Sequence, residues 1–147
     1  MPNVIGPGDL SGCFRCFFVW RPRVPDPPMC PRCKSRLWDV PRLQKVRRGG
    51  GLGIAEVVEP NRAAILDALL RNRARNPRVF GSVARGTASK RSDLDLLVDF
   101  EEGASVFDQV GLIQDLEDLL GRPVDVATAE GLHWIVRPQV LVEAVAL

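Results

Sequence analysis

The 147-residue sequence contains no tyrosine, only one histidine and no long apolar run. A membrane-spanning helix needs about 18–20 consecutive apolar residues, and no stretch approaches that length. The N-terminus also lacks the basic region and apolar core of a secretory signal. We therefore expect a cytoplasmic protein. The single histidine, His133, lies in the segment GLHWIVRPQV and is expected to be a surface or packing residue rather than a general base.

Charge is divided unevenly along the chain, although the formal net charge is only +2. Residues 1–58 hold ten Lys/Arg and four Asp/Glu, a net of +6, whereas residues 59–147 hold ten and fourteen, a net of −4. Eight of the twelve prolines precede residue 42. This length suits one ordinary domain, or a small domain with an appendage. The sequence therefore predicts a first module at 1–41, a linker at 42–58 and a second domain at 59–147.

The four cysteines form two C-x2-C pairs, Cys13/Cys16 and Cys30/Cys33, with thirteen residues between the pairs. Structural disulfides are rare in the cytoplasm, and two such pairs in a short segment are typical of one tetrahedral structural Zn²⁺. A disulfide or a redox dithiol is the alternative. The intervening segment is too rich in proline for a helix, so the first module resembles rubredoxin-like zinc ribbons. With few apolar residues available, metal binding should be coupled to folding.

Cations and tryptophans are interleaved in this ribbon, which suits contact with a nucleic-acid backbone and its bases. The alternative is that Trp20 and Trp38 pack around the knuckles while the charges are merely solvated. The segment RLQKVRRGGG, Arg42 to Gly51, indicates a flexible basic linker that can bind nucleic acid or simply remain in solvent. The sequence leaves both alternatives open. The ribbon cations are Arg15, Arg21, Arg23, Arg32, Lys34 and Arg36.

The second domain shows a strand–helix–strand pattern. A helix is predicted from Pro60 to Asn76, where the following proline ends it, and a short strand from Arg78 to Phe80. Ser105 precedes Asp108 by three residues, a capping-box spacing, so a second helix is predicted to begin there. Gly121 suits its left-handed end. The predicted apolar stripe of this helix is Val106, Val110, Ile113, Leu116 and Leu120.

The segment VFGSVARGTASKRSDLDLLVDF contains the candidate catalytic residues. Ten residues separate Ser82 from Asp93, giving the pattern G-S-x10-D-x-D. After Ser92, alternate residues form an apolar set, so Asp93 and Asp95 should project from one face of a strand, roughly 6–7 Å apart at Cα. The apolar set is Leu94, Leu96, Val98 and Phe100, and the other face carries Asp93, Asp95, Leu97 and Asp99. Two carboxylates at that distance can share one Mg²⁺ ion. Gly81 allows the backbone to approach a phosphate, and a helix start there would add an anion site.

A third acid, Asp125, lies between two valines in a further short strand. Together with the G-S-x10-D-x-D pattern, it resembles the minimal nucleotidyltransferases of the polymerase-β superfamily, and the resemblance covers roughly the last 85 to 90 residues. It implies an α+β fold, with a small mixed β-sheet flanked by helices, preceded here by the zinc ribbon.

The resemblance also implies the site. Asp93 and Asp95 would hold Mg²⁺, and Asp125 would either ligate a second Mg²⁺ ion or deprotonate the attacking hydroxyl. Gly81 and Ser82 would bind the nucleotide, with ATP as the expected substrate. Two metal ions would activate the nucleophile and stabilise charge on the α-phosphate and the departing pyrophosphate.

The function implied by the resemblance is that of an antitoxin in a toxin–antitoxin system, which transfers AMP to a tyrosine of a HEPN-type ribonuclease toxin. A core of about 90 residues leaves no room for a separate acceptor-binding domain, so a partner protein would supply the acceptor. Lacking tyrosine, the chain cannot modify itself on one. The alternative is a catalytically weak or inactive binding module that sequesters the partner, while its ribbon contacts nucleic acid.

Overall fold

A computed structural model describes residues 5–6, 10–24, 27–39 and 50–147. The chain divides into two compact units. The first unit comprises Met1–Lys45 and His133–Gln139, and the second comprises Val46–Leu132 and Val140–Leu147. Residues 42–49 of the predicted linker, 42–58, lie outside the described residues. Its end at 52–58 contains a bridge from Leu52 to Ala88 and a helical turn.

The first unit contains a small antiparallel sheet in the order β1-β2-β3, formed by Ile5–Gly6, Leu10–Gly12 and Val19–Trp20. Two tight turns flank it and carry the cysteine pairs. In each turn, the residue after the second cysteine donates its N–H to the carbonyl of the first, from Phe17 to Cys13 at 2.8 Å and from Lys34 to Cys30 at 3.0 Å. Both donors have left-handed backbones, with φ of 57° and 60°. The two knuckles therefore share one geometry.

The core of the first unit is small and is built around the thiols. Cys13, Cys30 and Trp38 are buried, and Trp38 donates its Nε1–H to the Pro27 carbonyl at 2.8 Å. The Trp20 ring meets the Trp38 ring edge-on, with centroids 5.0 Å apart. Both tryptophans thus pack around the two turns that carry the cysteines, which confirms the first part of the packing alternative.

The second unit is a mixed sheet in the order β6-β5-β4-β7, in which β5 and β6 are parallel and the other pairs are antiparallel. Helices pack against it, so the predicted α+β class is confirmed. The strands are β4 (Ala74–Phe80), β5 (Leu94–Phe100), β6 (Val124–Ala127) and β7 (Val145–Ala146). The helices are α1 (Ile54–Val57), a 3-10 turn (Glu59–Asn61), α2 (Arg62–Arg71), α3 (Gly81–Arg85), α4 (Val106–Leu120) and α5 (Arg137–Glu143).

The predicted helix from Pro60 to Asn76 is wrong at its C-terminal end. Helix α2 stops at Arg71, and the left-handed backbone of Arg73, at φ 57°, turns the chain directly into β4. The strand accommodates the Asn76–Pro77 dipeptide through a shift of register between Arg75 and Arg78. Because proline has no N–H, it is tolerated where the ladder is interrupted. The proline therefore marks a bulge in a strand rather than the end of a helix.

Helix α4 begins and ends as predicted, but its buried face is different. Ser105 donates both its N–H and its hydroxyl to Asp108 Oδ2, at 2.6 and 3.1 Å, and Gly121 closes the helix with φ 62°. Val106 is 73% exposed, whereas the fully buried residues are Leu112 and Leu116.

The predicted α4 stripe is therefore wrong at Val106 and at the exposed Val110. The side of the helix that faces the sheet carries Leu112 and Leu116, which are fully buried. Gln109 lies on the same side, and its side-chain amide donates to the Val126 carbonyl at 3.0 Å.

The second unit has a continuous apolar core between sheet and helices. The fully buried members with less than 2% exposure include Ile65, Val79, Val83, Leu94, Leu96, Val98, Leu112 and Leu116.

Within residues 5–6, 10–24, 27–39 and 50–147, no helix is long and apolar enough to cross a membrane.

Candidate active site

The turn from β4 into α3 depends on Gly81. Its backbone has φ 70°, a left-handed conformation that favours glycine. A Cβ atom added there would lie 2.1 Å from Asp95 Oδ2 and 3.0 Å from its carboxyl carbon. No other residue fits without displacing the Asp95 carboxylate. The Gly-Ser turn and the second aspartate are therefore in direct contact, which the sequence spacing alone could only suggest.

The ten residues between Ser82 and Asp93 fold into a compact connection. Helix α3 ends at Gly86, which has φ 69°, and the Thr87 N–H donates to the Ser82 carbonyl at 2.9 Å. The single helical turn that the sequence predicted before Gly86 is thus confirmed. The side chain of Ser82 has no hydrogen-bond partner among the described residues, so its hydroxyl is free for a ligand.

Two acids meet across neighbouring strands. Asp95 on β5 is in register with Asp125 on β6, and on the other side of β5 it is in register with Phe80, the residue before Gly81. Asp93 immediately precedes β5, and both Asp93 and Asp125 are exposed while Asp95 is half-buried. The structure thus places the predicted Asp93, Asp95, Asp125 and Gly81 at one end of β5.

The electrostatics of Asp95 reflect this arrangement. Its pKa is raised from 3.8 to about 6, first by burial and then by the neighbouring charges of Asp125 and Asp93. Arg85 lowers it and Glu143 raises it. An ionised Asp95 is therefore costly without a compensating cation. Three carboxylates that repel one another and offer only oxygen ligands fit a hard divalent ion such as Mg²⁺.

The four cysteine thiols form a second candidate metal site. All four sulfur atoms lie within 4.8 Å of one another, with Cys13 and Cys33 3.7 Å apart and Cys16 and Cys30 3.8 Å apart. Disulfide bonds are near 2.0 Å, so these cysteines are free thiols. Burial raises the pKa of Cys13 to about 12, whereas the Ser35 N–H lowers that of Cys33 to about 7. A cluster of four sulfur ligands fits one zinc ion.

The sequence did not predict an ion pair that lies near Asp95. Arg85, at the end of α3, donates through Nη1 to Glu143 Oε1 at the end of α5. Arg85 was one of three loop cations that the sequence could not tell apart, and the other two, Lys90 and Arg91, are exposed. No local pattern links Glu143 to a motif 48 residues earlier. His133 is exposed and stacks on Trp134 with ring centroids 5.6 Å apart, which confirms its surface role.

Comparison with protein families and curated proteins agrees with this geometry. The family model described as "Nucleotidyltransferase domain" matches residues 65–147. A Methanocaldococcus jannaschii protein, named among protein adenylyltransferases, is 41% identical over 81 residues, which is 55% of this chain and 87% of that protein. The protein adenylyltransferase MntA of Thermococcus cleftensis is 45% identical over 67 residues, 46% of this chain and 68% of the relative.

Two solved structures share the fold. One, described as a minimal nucleotidyltransferase, matches with a TM-score of 0.58 and 45% identity, over 67% of this chain and 100% of that chain. The other belongs to a crystal structure of a toxin–antitoxin with AMP-PNP, with a TM-score of 0.51 and 24% identity, over 58% of this chain and 71% of that chain. At that identity, the second likeness concerns the fold alone.

Proposed function

Because the chain belongs to the nucleotidyltransferase domain family and is a nucleotidyltransferase, we propose that it transfers AMP from ATP to a hydroxyl group of a partner protein in the cytoplasm. The observation that carries this proposal is the contact between Gly81 and the Asp95 carboxylate, beside the register pair of Asp95 and Asp125. A glycine turn at that distance lets a triphosphate approach the carboxylates without a side chain between them.

Each residue of the site has its own role in the proposed transfer. Gly81 and Ser82 would bind the phosphates, and Asp93 and Asp95 would hold Mg²⁺. When bound, Mg²⁺ neutralises the charge of the triphosphate and of the departing group. The acceptor oxygen forms a bond to the α-phosphorus, the bond from that phosphorus to the bridging oxygen breaks, and pyrophosphate leaves. Asp125, the most exposed acid on the sheet, takes the hydroxyl proton.

The proposed acceptor is a tyrosine of a HEPN-type toxin, so that the protein acts as an antitoxin. Two arguments support this partner. The curated relatives are named as protein adenylyltransferases. The chain has no tyrosine of its own to compete as acceptor.

The test is incubation of the purified protein with labelled ATP, Mg²⁺ and the neighbouring gene product or a cell lysate. We expect label on a partner protein with the wild type and none with the Asp93→Ala/Asp95→Ala variant. The Asp118→Asn variant, which changes an exposed acid on α4, is the matched control and should label normally. No label from any of the four nucleoside triphosphates, despite tight binding to a partner, would contradict the enzymatic function.

A second candidate function is sequestration of a partner without catalysis, with the ribbon bound to nucleic acid. The ribbon supports the nucleic-acid part. The Phe18 and Trp20 rings are nearly parallel, 8° apart, with centroids separated by 6.2 Å, and the Arg32 guanidinium lies 5.8 Å from the Phe18 centroid. Aromatic rings and an arginine on one surface suit stacking with unpaired bases.

Two measurements separate these functions. The Asp95→Ala variant keeps sequestration intact if the protein only binds its partner, but loses antitoxicity if AMP transfer is required. Fluorescence anisotropy with single-stranded RNA, single-stranded DNA and duplex DNA tests the ribbon. We expect Arg32→Ala to weaken binding to single strands several-fold, while Arg62→Ala, which changes a cation paired with Glu59 in the second unit, leaves it unchanged. Equal binding by both variants would remove the ribbon from that role.

A further inference from the structure

Three observations place Arg85 next to the proposed nucleotide site. It ends the five-residue helix α3, which begins with Gly81 against the Asp95 carboxylate. Its side chain is only 30% exposed. Its charge lowers the pKa of Asp95, against the larger effect of burial, so the guanidinium is within electrostatic range of that carboxylate. The other loop cations, Lys90 and Arg91, are exposed and have no carboxylate within salt-bridge distance among the described residues.

Glu143 holds this arginine from the C-terminal segment. Its carboxylate is 15% exposed and accepts the bond from Arg85 Nη1. Strand β7 fixes its position, because Val145 is in register with Val79 of β4, two residues before Gly81. The Leu147 N–H also donates to the Pro77 carbonyl at 3.1 Å. Glu143 is thus anchored beside the Gly-Ser turn by backbone hydrogen bonds.

A fourth carboxylate near three others needs a physical reason, since it adds to the repulsion that Asp95 already experiences. The reason lies in the alternative open to Arg85. A partly buried guanidinium without a partner is unfavourable, and the Asp95 carboxylate lies within the range of its charge. An Arg85–Asp95 ion pair would occupy a carboxylate that the proposed reaction needs for Mg²⁺.

We propose that Glu143 is a positioning residue, which keeps the Arg85 guanidinium off Asp95 so that Asp95 stays available to a divalent cation and Arg85 to the nucleotide. The inference rests on the proposed function for the identity of the metal ligands. It assigns a task to the C-terminal segment, whose last strand is otherwise a two-residue addition to the sheet edge.

The test is a double-mutant cycle read by metal binding, without ATP or acceptor. Mn²⁺ serves as the probe on zinc-loaded full-length protein, and free Mn²⁺ is measured by electron paramagnetic resonance. We expect Glu143→Gln to weaken Mn²⁺ binding on the order of tenfold, the equivalent of about 1.4 kcal/mol. In an Arg85→Gln background, the same substitution should change affinity less than about twofold, because the competing cation is gone.

The cycle distinguishes positioning from simple loss of negative charge. If Glu143 acted only through its own field, Glu143→Gln would weaken Mn²⁺ binding by the same factor in both backgrounds, and that result would overturn the proposal. No effect in either background would overturn it as well. Glu102→Gln, an exposed glutamate on the turn after β5, is the matched control and should bind Mn²⁺ as the wild type does.

Two further points keep the outcome clear. If Glu143→Gln alone proves unstable by circular dichroism, the double variant supplies the comparison, because it removes the unpaired arginine together with its partner. An enzyme that binds Mn²⁺ as expected but transfers no AMP would count against the proposed function, while leaving the role of Glu143 standing. Loss of Mn²⁺ binding in Asp95→Asn serves as the reference for the site.

Discussion

The two units of this chain differ in whether their cationic side chains form ion pairs. Within residues 10–24, 27–39 and 50–147, no ribbon cation lies within 4.0 Å of a carboxylate, whereas five arginines of the second unit do. The arginines with such partners are Arg62, Arg71, Arg73, Arg78 and Arg85. Neighbouring carboxylates largely offset the charges of these five arginines, whereas the ribbon cations keep their full attraction for anions.

The same contrast holds for what stabilises each unit. The second unit buries a continuous apolar core between a four-stranded sheet and its helices. The first unit buries fewer apolar side chains, with Cys16, Phe18 and Trp20 partly covered, and its buried members among the described residues are Cys13, Phe14, Cys30, Trp38 and Ile135. A unit so small rarely holds its fold by apolar burial alone. We therefore propose that the first unit depends on a metal ion held by its thiols, whereas the second depends on its core.

The largest expected effect separates the two units completely. Cys13→Ser removes one of the four proposed zinc ligands, and because structural zinc contributes about 10–16 kcal/mol to such folds, the ribbon should unfold. Hydrogen–deuterium exchange should show full loss of protection at residues 10–39 and unchanged protection in β5 and α4. Released zinc, measured with a chromogenic chelator, should be one ion per chain in the wild type.

The control for this prediction is Ser35→Ala, which removes only the hydroxyl that accepts from the Leu37 N–H at 3.2 Å. It should keep the zinc and the exchange protection. A Cys13→Ser protein whose ribbon stays protected would show that the small core suffices without metal. Loss of protection in β5 as well would show that the second unit depends on the first.

Much of the second unit could be predicted because its local patterns are strong. The alternation around Asp95 predicted the strand, and the spacing from Ser105 to Gly121 predicted both ends of α4. The approach of Gly81 to Asp95 could be suggested from the G-S-x10-D-x-D spacing, because such a turn has few ways to close. These features depend on residues near one another in sequence, where propensity and periodicity carry the information.

The features that could not be predicted depend on tertiary contacts. Asn76–Pro77 looks like a helix end, yet pairing with β5 draws the segment into a strand with a bulge. The side of α4 that faces the sheet includes the polar Gln109, whose amide donates to the Val126 carbonyl. Glu143 reaches the site only because β7 pairs with β4. No periodicity in the sequence encodes any of these three contacts.

An intermediate effect concerns the cost of the acidic site in the second unit. The pKa of Asp95 is raised to about 6 in the fold, first by burial and then by Asp125 and Asp93, from 3.8 in the unfolded chain. The unfolded state therefore ionises first, and stability falls as the pH rises from about 4 through 6. Asp95→Asn removes this cost, so without Mg²⁺ its melting temperature at pH 8 should exceed that of the wild type by roughly 5 °C.

The difference should vanish near pH 4, where the wild-type carboxyl is protonated, and should shrink when Mg²⁺ is added at pH 8. Differential scanning fluorimetry on zinc-loaded protein measures both. The control Asp118→Asn changes an exposed acid and should show no pH-dependent gain. An Asp95→Asn protein that melts at the wild-type temperature at pH 8 would show that burial and repulsion at this site are relieved in some other way.

The smallest expected effect tests whether the second unit responds to ordinary helix energetics without involving the ribbon. Ser105→Ala removes the hydroxyl bond to Asp108 Oδ2, but the stronger backbone bond from the Ser105 N–H remains. N-cap losses span about 0.5–2 kcal/mol, so we expect the low end, about 0.5 kcal/mol, or roughly 2–4 °C in melting temperature. Zinc release should keep the wild-type rate, because the apolar core that α4 joins through Leu112 and Leu116 contains no residue of the ribbon. A faster release of zinc in this variant would mean that the stability of the ribbon depends on that of the second unit. The contrast between a ribbon stabilised through its thiols and a domain stabilised by its apolar core would then be wrong.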